Sequence, residues 1–135
     1  MTPRDIELVK ATFERAAAMR PSLGERLYAK LFESQPELAQ LFRGDTAHQA
    51  HTVVDMLDTI IGCLEVQDRV VPLVFELGRR HCSYGVRSGH YQVFGDALLG
   101  ALQEELGADF GAEERAAWQS AYRFMAEIMG EATLD

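Results

Sequence analysis

The sequence predicts an all-α protein, a single domain over residues 1–135 in which about six to seven helices pack around a pocket. In every periodic segment, apolar residues recur at spacings of three and four, which is the repeat of one helix face. No segment shows the alternation or the two-residue turn of a β-hairpin. The helices differ in length and meet at corners marked by glycine and proline, which favours an irregular stack over an even up-and-down bundle.

The start of the first helix is indicated by a capping box. Thr2 can cap the first turn, Pro3 suits the first helical position, and Asp5 can reach back to the cap. A second helix is predicted to begin near Pro21.

The second helix turns Tyr28 inward, and Gly24 lies one turn before it. Without a side chain at Gly24, another helix can cross at short range and bring Tyr28 toward the same centre. Pro36 then opens a short helical turn that ends at Leu41 and Phe42, so Phe42 lies at a corner. The inward residues of the second helix are Leu27, Tyr28, Leu31 and Phe32.

The next helix is predicted from about Thr46 to Leu64, after Gly44 and Asp45 break the pattern. Gln49 shares its apolar face, so an amide points inward among apolar groups. The apolar stripe is Val53, Met56, Leu57, Ile60, Ile61 and Leu64. The polar residues on the other side are His48, His51, Asp55 and Asp58.

The following helix places a histidine on an apolar face. Its stripe is Val70, Leu73, Val74 and Leu77, and four residues further the same face carries His81. Pro72 is placed in the first turn, where its missing N–H matters least, and Gly85 is suited to end the helix after Tyr84. A polar ring is thus predicted where only apolar groups belong.

Two further helices complete the prediction. One runs from about Ser88 to Leu106, and a turn over residues 107–111 separates it from the other, near Ala112 to Ile128. The inward residues of the former are Val93, Phe94, Ala97, Leu98, Ala101 and Leu102. Those of the latter are Trp118, Tyr122, Met125 and Ile128.

The composition limits the classes of function. The formal net charge is −8 at pH 7 and no basic run occurs, so we expect no nucleic-acid partner. Cys63 and Cys82 lack the spacing of a disulfide framework, and the N-terminus lacks the order of a signal peptide, so we expect a cytoplasmic location. No apolar stretch approaches the roughly 20 residues of a membrane span. The length predicts one domain, without a second catalytic domain.

Three polar side chains project from the apolar faces of three different helices, namely those of Tyr28, Gln49 and His81. A buried polar group without a partner costs roughly 1 to 3 kcal/mol, so each needs a hydrogen bond or a ligand. One imidazole cannot build a zinc site, which needs about four ligands. Haem brings its own equatorial ligands and needs only an axial donor. The alternative is a core histidine bonded to a backbone carbonyl.

Four segments resemble the globin domain of bacterial flavohaemoglobins and single-domain haemoglobins. The four are the LFR…Gln49 region, LGRRHCSYGV at 77–86, HYQVFGDALLGAL at 90–102 and AAWQSAY at 116–122. The resemblance runs essentially from end to end and is most specific around His81. It implies a globin fold with haem b as the cofactor.

The resemblance implies a role for each matched residue. His81 is the implied proximal ligand of the iron, Phe42 is the ring packed against the porphyrin, and the distal pocket is formed by Tyr28, Gln49 and Val53. The other implied haem contacts are Leu77, Arg80, Val86, Tyr91 and Phe94. The alternatives are that Phe42 and Val53 are ordinary core residues and that Tyr28 only bonds a backbone carbonyl.

Arginines near His81 are candidates for binding the anionic propionates of haem. Arg79, Arg80 and Arg87 bracket His81 in an otherwise acidic chain. The alternative is an ordinary solvated face. Further candidates across the haem edge are Arg43, His48 and His51. We expect neither of these two histidines to bind the iron, because the stripe places both outside.

The proximal side departs from the resembled family at one position. In that family a tyrosine matched by Tyr91 lies under the haem, and a glutamate near the end of the last helix can bond it. Glu131 sits about two residues early and follows Gly130, an expected helix end, whereas Thr133 occupies the matching position. We therefore expect no strong electron donation onto the iron. The alternative for Tyr91 is a packed aromatic residue.

The resemblance predicts reversible, high-affinity binding of dioxygen, with nitric oxide and carbon monoxide as further ligands. Tyr28 and Gln49 can donate to the partial negative charge that dioxygen acquires, while His81 donates its second ring N–H to a carbonyl such as that of Leu77. The alternative is a nitric oxide dioxygenase that forms nitrate and relies on a separate reductase. A third interpretation is a helical interaction domain without haem.

Overall fold

The computed structural model describes residues 1–18, 22–42 and 46–133, and this part of the chain is helical almost throughout. It contains α1 (Pro3–Ala17), α2 (Ser22–Ser34), α3 (Thr46–Gly62), α4 (Gln67–Ser83), α5 (His90–Leu106) and α6 (Ala112–Ala132), with 3-10 helices at Pro36–Leu41 and Gly107–Asp109. The all-α prediction is confirmed for these residues. None of their helices combines the length and the apolar character that crossing a bilayer requires.

The core is centred on Trp118, which is fully buried in α6. Its indole N–H donates to the Thr12 hydroxyl at 2.7 Å, and the Phe13 ring lies 6.2 Å away, centroid to centroid. Thr12 donates in turn to the Leu8 carbonyl at 2.7 Å. Both polar groups are therefore satisfied inside an apolar environment. α1 and α4 pack on α6, and α2 packs on both α3 and α5.

A close crossing joins α2 to α3. A Cβ added at Gly24 would lie 2.2 Å from the carbonyl oxygen of Ala50, a distance that no other residue can adopt without moving a helix. The predicted short-range crossing at Gly24 is therefore confirmed. It places the N-terminal half of α3 beside the turn of α2 that carries Tyr28.

A second close crossing joins α4 to α6. A Cβ added at Gly78 would lie 2.8 Å from both Cα and the carbonyl oxygen of Met129. Gly78 precedes His81 by three residues on the same helix. The contact with α6 therefore fixes the position of the turn that carries the histidine.

Two predicted features of the helices are wrong. α4 begins at Gln67, so Pro72 is its sixth residue, lies outside the first turn, and deprives the Asp68 carbonyl of a helical hydrogen bond. α6 continues past Gly130 to Ala132. Ala132 is buried against α4, and this packing extends the helix beyond the glycine.

The remaining boundaries follow the sequence closely. The capping box at Thr2 and Asp5 is present, with hydrogen bonds of 2.9 and 3.1 Å. Gly85, at a φ of 94°, terminates the α4 region as predicted. α3 ends two residues earlier than predicted and α5 begins two residues later. The predictions for Pro21, Arg43, Gly44 and Asp45 lie outside the described residues.

Candidate functional site

His81 lies in the last turn of α4, with its two ring nitrogens in different environments. Nδ1 is 2.8 Å from the carbonyl oxygen of Leu77. Because a carbonyl only accepts, Nδ1 carries the proton and donates it. In the neutral ring, Nε2 then holds a lone pair, and no described residue forms a hydrogen bond with it. Hydrogen bonding to the described part of the chain therefore satisfies Nδ1 and leaves Nε2 without a partner.

Burial favours the neutral form of this imidazole. Removal from water lowers the pKa of His81, and the hydrogen bond to Leu77 opposes part of that effect. A neutral ring with an unprotonated Nε2 is the form that binds a metal ion.

Tyr28 supplies the second polar group of the site. Its side chain is only 5% exposed, and its hydroxyl forms no hydrogen bond with any described residue. The ring stacks on Phe32 at a centroid distance of 5.8 Å and meets the edge of Phe42 at 5.1 Å. Burial raises the pKa of Tyr28 to about 12, so the hydroxyl keeps its proton and is a donor at neutral pH.

Gln49 and Val53 lie one turn apart on α3, and both are half-buried, as the stripe predicts. The crossing of α2 and α3 at Gly24 and Ala50 brings this part of α3 close to Tyr28. The structure thus places the three predicted distal residues on two adjoining helices. The side chains predicted to face outward are all exposed, namely His48, His51, Asp55 and Asp58.

The predicted apolar contacts are partly exposed side chains at the edge of the core. Phe42, Val53, Leu77 and Phe94 pack against the core without being sealed into it, and Val86 is half-buried beyond the end of α4. Such side chains can cover the apolar faces of a bound group.

Tyr91 is buried at the start of α5, where its hydroxyl lies 2.6 Å from that of Thr133. Thr133 donates its own proton to the Met129 carbonyl at 2.7 Å, so Tyr91 is the donor in the bond between the two hydroxyls. Tyr122 donates to the backbone carbonyl of Tyr91 at 2.5 Å. Glu131 is exposed. The hydroxyl beside Tyr91 is thus that of Thr133, and the correspondence of Thr133 with the glutamate of the resembled family stays a prediction.

The arginines near His81 are on the surface. Glu76 pairs with Arg79 at 3.3 Å and with Arg80 at 4.0 Å. Arg87 is exposed, and its backbone N–H donates to Nδ1 of His90 at 3.0 Å. Exposed pairs of this kind contribute little to stability, so the guanidinium groups can exchange Glu76 for another anion. Contact of Arg80 with the cofactor stays a prediction.

Two residues that shape the site, Phe32 and Gly78, were not predicted from the sequence as site residues. The Phe32 ring lies 5.4 Å from that of Phe42 and completes a cluster of three rings with Tyr28. Its spacing of four from Tyr28 is the signal that could have identified it. Gly78 was missed because a lone glycine in a helix has no distinctive pattern. Its position three residues before His81 is the only hint.

The residues present fit haem. Among the described residues, no three His, Cys, Asp or Glu side chains are grouped to hold a metal ion. A single imidazole with an unprotonated Nε2 suits a metal that brings its own equatorial ligands. The half-buried apolar side chains around the site suit the flat apolar faces of a porphyrin.

Comparisons with known proteins agree with this fit. A family model described as Globin matches residues 25–129. A flavohemoprotein of Bacillus cereus (strain ATCC 10987) is 31% identical over 133 residues, which cover 94% of this chain and 32% of that protein. A flavohemoprotein of Vibrio cholerae serotype O1 is 26% identical over 131 residues, which cover 95% of this chain and 33% of that protein. The chain spans about a third of the length of these curated relatives.

A similar solved structure is that of a hexacoordinated heme protein from an anhydrobiotic tardigrade. The TM-score is 0.89 with 17% sequence identity, and the match covers 98% of this chain and 94% of the other. At this level of identity, the likeness concerns the fold alone.

Proposed function

This chain belongs to the globin family and its cofactor is haem, and we propose that it binds dioxygen reversibly and with high affinity. We propose nitric oxide and carbon monoxide as further ligands at the same position. Bound haem supplies an iron atom that can accept a diatomic gas. The observation that carries the proposal is the buried Tyr28 hydroxyl, a donor for which the described residues offer no acceptor.

On the proximal side, we assign Nε2 of His81 as the ligand of the iron. The bond from Nδ1 to the Leu77 carbonyl supports this assignment, because it fixes both the tautomer and the plane of the ring. The Tyr91 hydroxyl lies 2.6 Å from the hydroxyl of Thr133, a neutral group. The His81 imidazole is neutral, and among the described residues its one hydrogen-bond acceptor is the Leu77 carbonyl.

On the distal side, we assign the Tyr28 hydroxyl and the Gln49 amide as donors to the gas. The Tyr28 ring packs against the rings of Phe32 and Phe42, so its hydroxyl is oriented before a ligand arrives. Val53 lies one turn after Gln49 and limits the space beside it. A hydrogen bond to a charged acceptor contributes about 1.5 to 3 kcal/mol, which slows release of the gas.

The other predicted contacts are assigned to the edges of the cofactor. The apolar ones are Phe42, Leu77, Val86, Tyr91 and Phe94. Arg80 is assigned to a propionate, for which it would exchange its weak pair with Glu76. We propose a cytoplasmic location, where free thiols such as Cys63 and Cys82 stay reduced.

The proposal is tested by the rate of dioxygen release from Tyr28→Phe. Loss of the donor should speed dissociation about ten- to hundredfold, the equivalent of 1.5 to 3 kcal/mol. The measurement is stopped-flow replacement of dioxygen by carbon monoxide. Tyr84→Phe is the control and should leave the rate unchanged, because it removes the hydroxyl of a side chain that is 64% exposed and keeps the ring that lies 6.3 Å from His81, centroid to centroid. An unchanged rate in Tyr28→Phe would reject the role of the hydroxyl.

A second candidate function is nitric oxide dioxygenase. The observation that favours it is the similarity to proteins named flavohemoproteins, a name that joins a flavin to a haem. In this reaction one nitric oxide and one dioxygen give nitrate, with one electron supplied by a separate reductase. The two functions are distinguished by supplying nitric oxide together with a cellular reductase. Repeated nitrate formation supports the enzyme, and a single turnover that ends in ferric protein supports the carrier.

A further inference from the structure

A cleft opens between α2 and α3 beside Tyr28. Its volume is about 370 Å³. A water molecule in the liquid occupies roughly 30 Å³, so the cleft has ample room for a diatomic gas. The residues that line it are Glu25, Tyr28, Ala29, Phe32, Ala47 and Ala50.

The cleft exists because the two helices touch where side chains are small or absent. At Gly24 the backbones approach so closely that an added Cβ would lie 2.2 Å from the Ala50 carbonyl oxygen. Two crossed helices diverge away from such a contact, and large side chains ordinarily fill the wedge between them. Here Ala29 and Ala47 line the wedge, so it stays open.

The lining leads from the surface to the Tyr28 side chain. Ala29 and Ala47 are exposed, whereas Tyr28 is buried. The described residues offer the Tyr28 hydroxyl no hydrogen-bond partner. Among these residues, however, no side-chain polar atom is both sealed from solvent and without a partner. The hydroxyl oxygen therefore borders space that a water-sized molecule can reach.

We propose that this cleft is the route by which a diatomic gas reaches the Tyr28 hydroxyl, an inference that rests on the gas-binding function proposed above. The alanine and phenylalanine side chains of its walls offer no hydrogen bonds to hold water in place. A weakly polar gas loses little in leaving water for such a passage. Glu25 is exposed and is the one charged side chain among the described residues of the lining.

A route of access has a kinetic signature that a contact with the bound gas lacks. Narrowing the route raises the barrier equally for a gas that enters and for one that leaves. Association and dissociation therefore slow by the same factor, and the equilibrium affinity stays constant. A changed contact with the bound gas alters the affinity instead.

The test measures the binding and release of carbon monoxide by haem-loaded variants in which a large side chain fills the cleft. Ala47→Trp fills it from α3 and Ala29→Trp fills it from α2. We expect association after flash photolysis and dissociation both to slow about three- to tenfold, a tenfold change being about 1.4 kcal/mol of barrier. Ala116→Trp, at an exposed alanine of α6, is the matched control and should leave both rates unchanged.

Two results would overturn the inference. Unchanged rates in the haem-loaded variants overturn the route, and so does a change in affinity that comes from one of the two rates alone. A variant that does not fold is replaced by the one on the opposite helix, which fills the same space. A parent protein that takes up no haem contradicts the proposed function itself, so the two failures are distinguishable.

Discussion

The two ring nitrogens of His81 have separate tasks. The Leu77 carbonyl, four residues earlier on the same helix, takes the proton of Nδ1 at 2.8 Å. This partner comes from the helix itself, which is why it could be predicted from the spacing alone. The lone pair of Nε2 is left for a ligand. Tyr28 is comparable, since its apolar surroundings hold the ring and leave the hydroxyl to act as a donor.

The hydroxyl partner of Tyr91 shows what a resemblance adds to spacing. No helical periodicity links Tyr91 to Thr133, because the two residues are far apart in the sequence. The alignment with the resembled family nevertheless identified Thr133 as the matching position, and the two hydroxyls lie 2.6 Å apart. The cluster of Phe32 with Tyr28 and Phe42 was missed, because ring contacts across a corner depend on the path of the backbone there.

Alkaline pH tests the burial of Tyr28. Burial raises its pKa to about 12, against about 10 for an unfolded chain. Between these values the folded state keeps the proton and the unfolded state releases it, so the free energy of unfolding falls as the pH rises. Tyr28→Phe lacks this loss, and its stability should fall less steeply between about pH 10 and 12.

The measurement is urea unfolding of parent and Tyr28→Phe at several alkaline pH values. Tyr122, whose pKa burial also raises, contributes equally to both proteins and cancels in the comparison. Tyr84→Phe is the control. Parallel stability curves for parent and Tyr28→Phe would show that the ring is not buried as described.

At the level of elements, two glycines determine where the helices meet. Gly24 brings α3 against α2, and Gly78 brings α4 against α6. The first positions Tyr28 and the second positions His81. The close crossing at Gly24 could be predicted because a strong apolar face surrounds this glycine, whereas the crossing at Gly78 could not. The predicted position of Pro72 in its helix and the predicted end of α6 were wrong for a related reason, because tertiary packing overrides local stop signals.

Gly24→Ala tests the α2–α3 crossing. The added methyl meets the Ala50 carbonyl oxygen, so a helix must move, and we expect a loss of stability of about 1 to 3 kcal/mol. Gly130→Ala is the matched control, because no atom of the described residues lies within 4 Å of its added Cβ. Gly130→Ala should be neutral or should stabilise the helix by up to about 1 kcal/mol. The measurement is equilibrium unfolding by urea, and equal stability of the two variants would refute the crossing.

For the whole molecule, the all-α class could be predicted from helical periodicity, whereas the site could be predicted only in part. Each helix buries one apolar stripe, so the number and type of elements follow from spacing. The relative placement of α3 and α4 does not, because it depends on contacts between residues that are distant in the sequence. The incompletely buried side chains Phe42, Val53, Leu77 and Phe94 are also a property of the assembled molecule.

Removal of haem should therefore destabilise the whole chain. A ligand that binds only the folded state stabilises it by about 4 kcal/mol at a thousandfold excess over its Kd. We expect the haem-free protein to unfold at a lower temperature and to expose the half-buried side chains to an apolar dye. Calorimetry and dye fluorescence before and after haem extraction measure both effects. Identical melting temperatures would contradict the placement of haem against these side chains.

Whether Nε2 of His81 holds the iron is measured by the ferrous absorption spectrum of His81→Ala beside that of His51→Ala. His51 is an exposed histidine of α3 and serves as the control. We expect His51→Ala to keep the parent's intense Soret band, and His81→Ala to lose it and to regain it when free imidazole is added. A His81→Ala spectrum identical to that of the parent would show that His81 does not hold the iron.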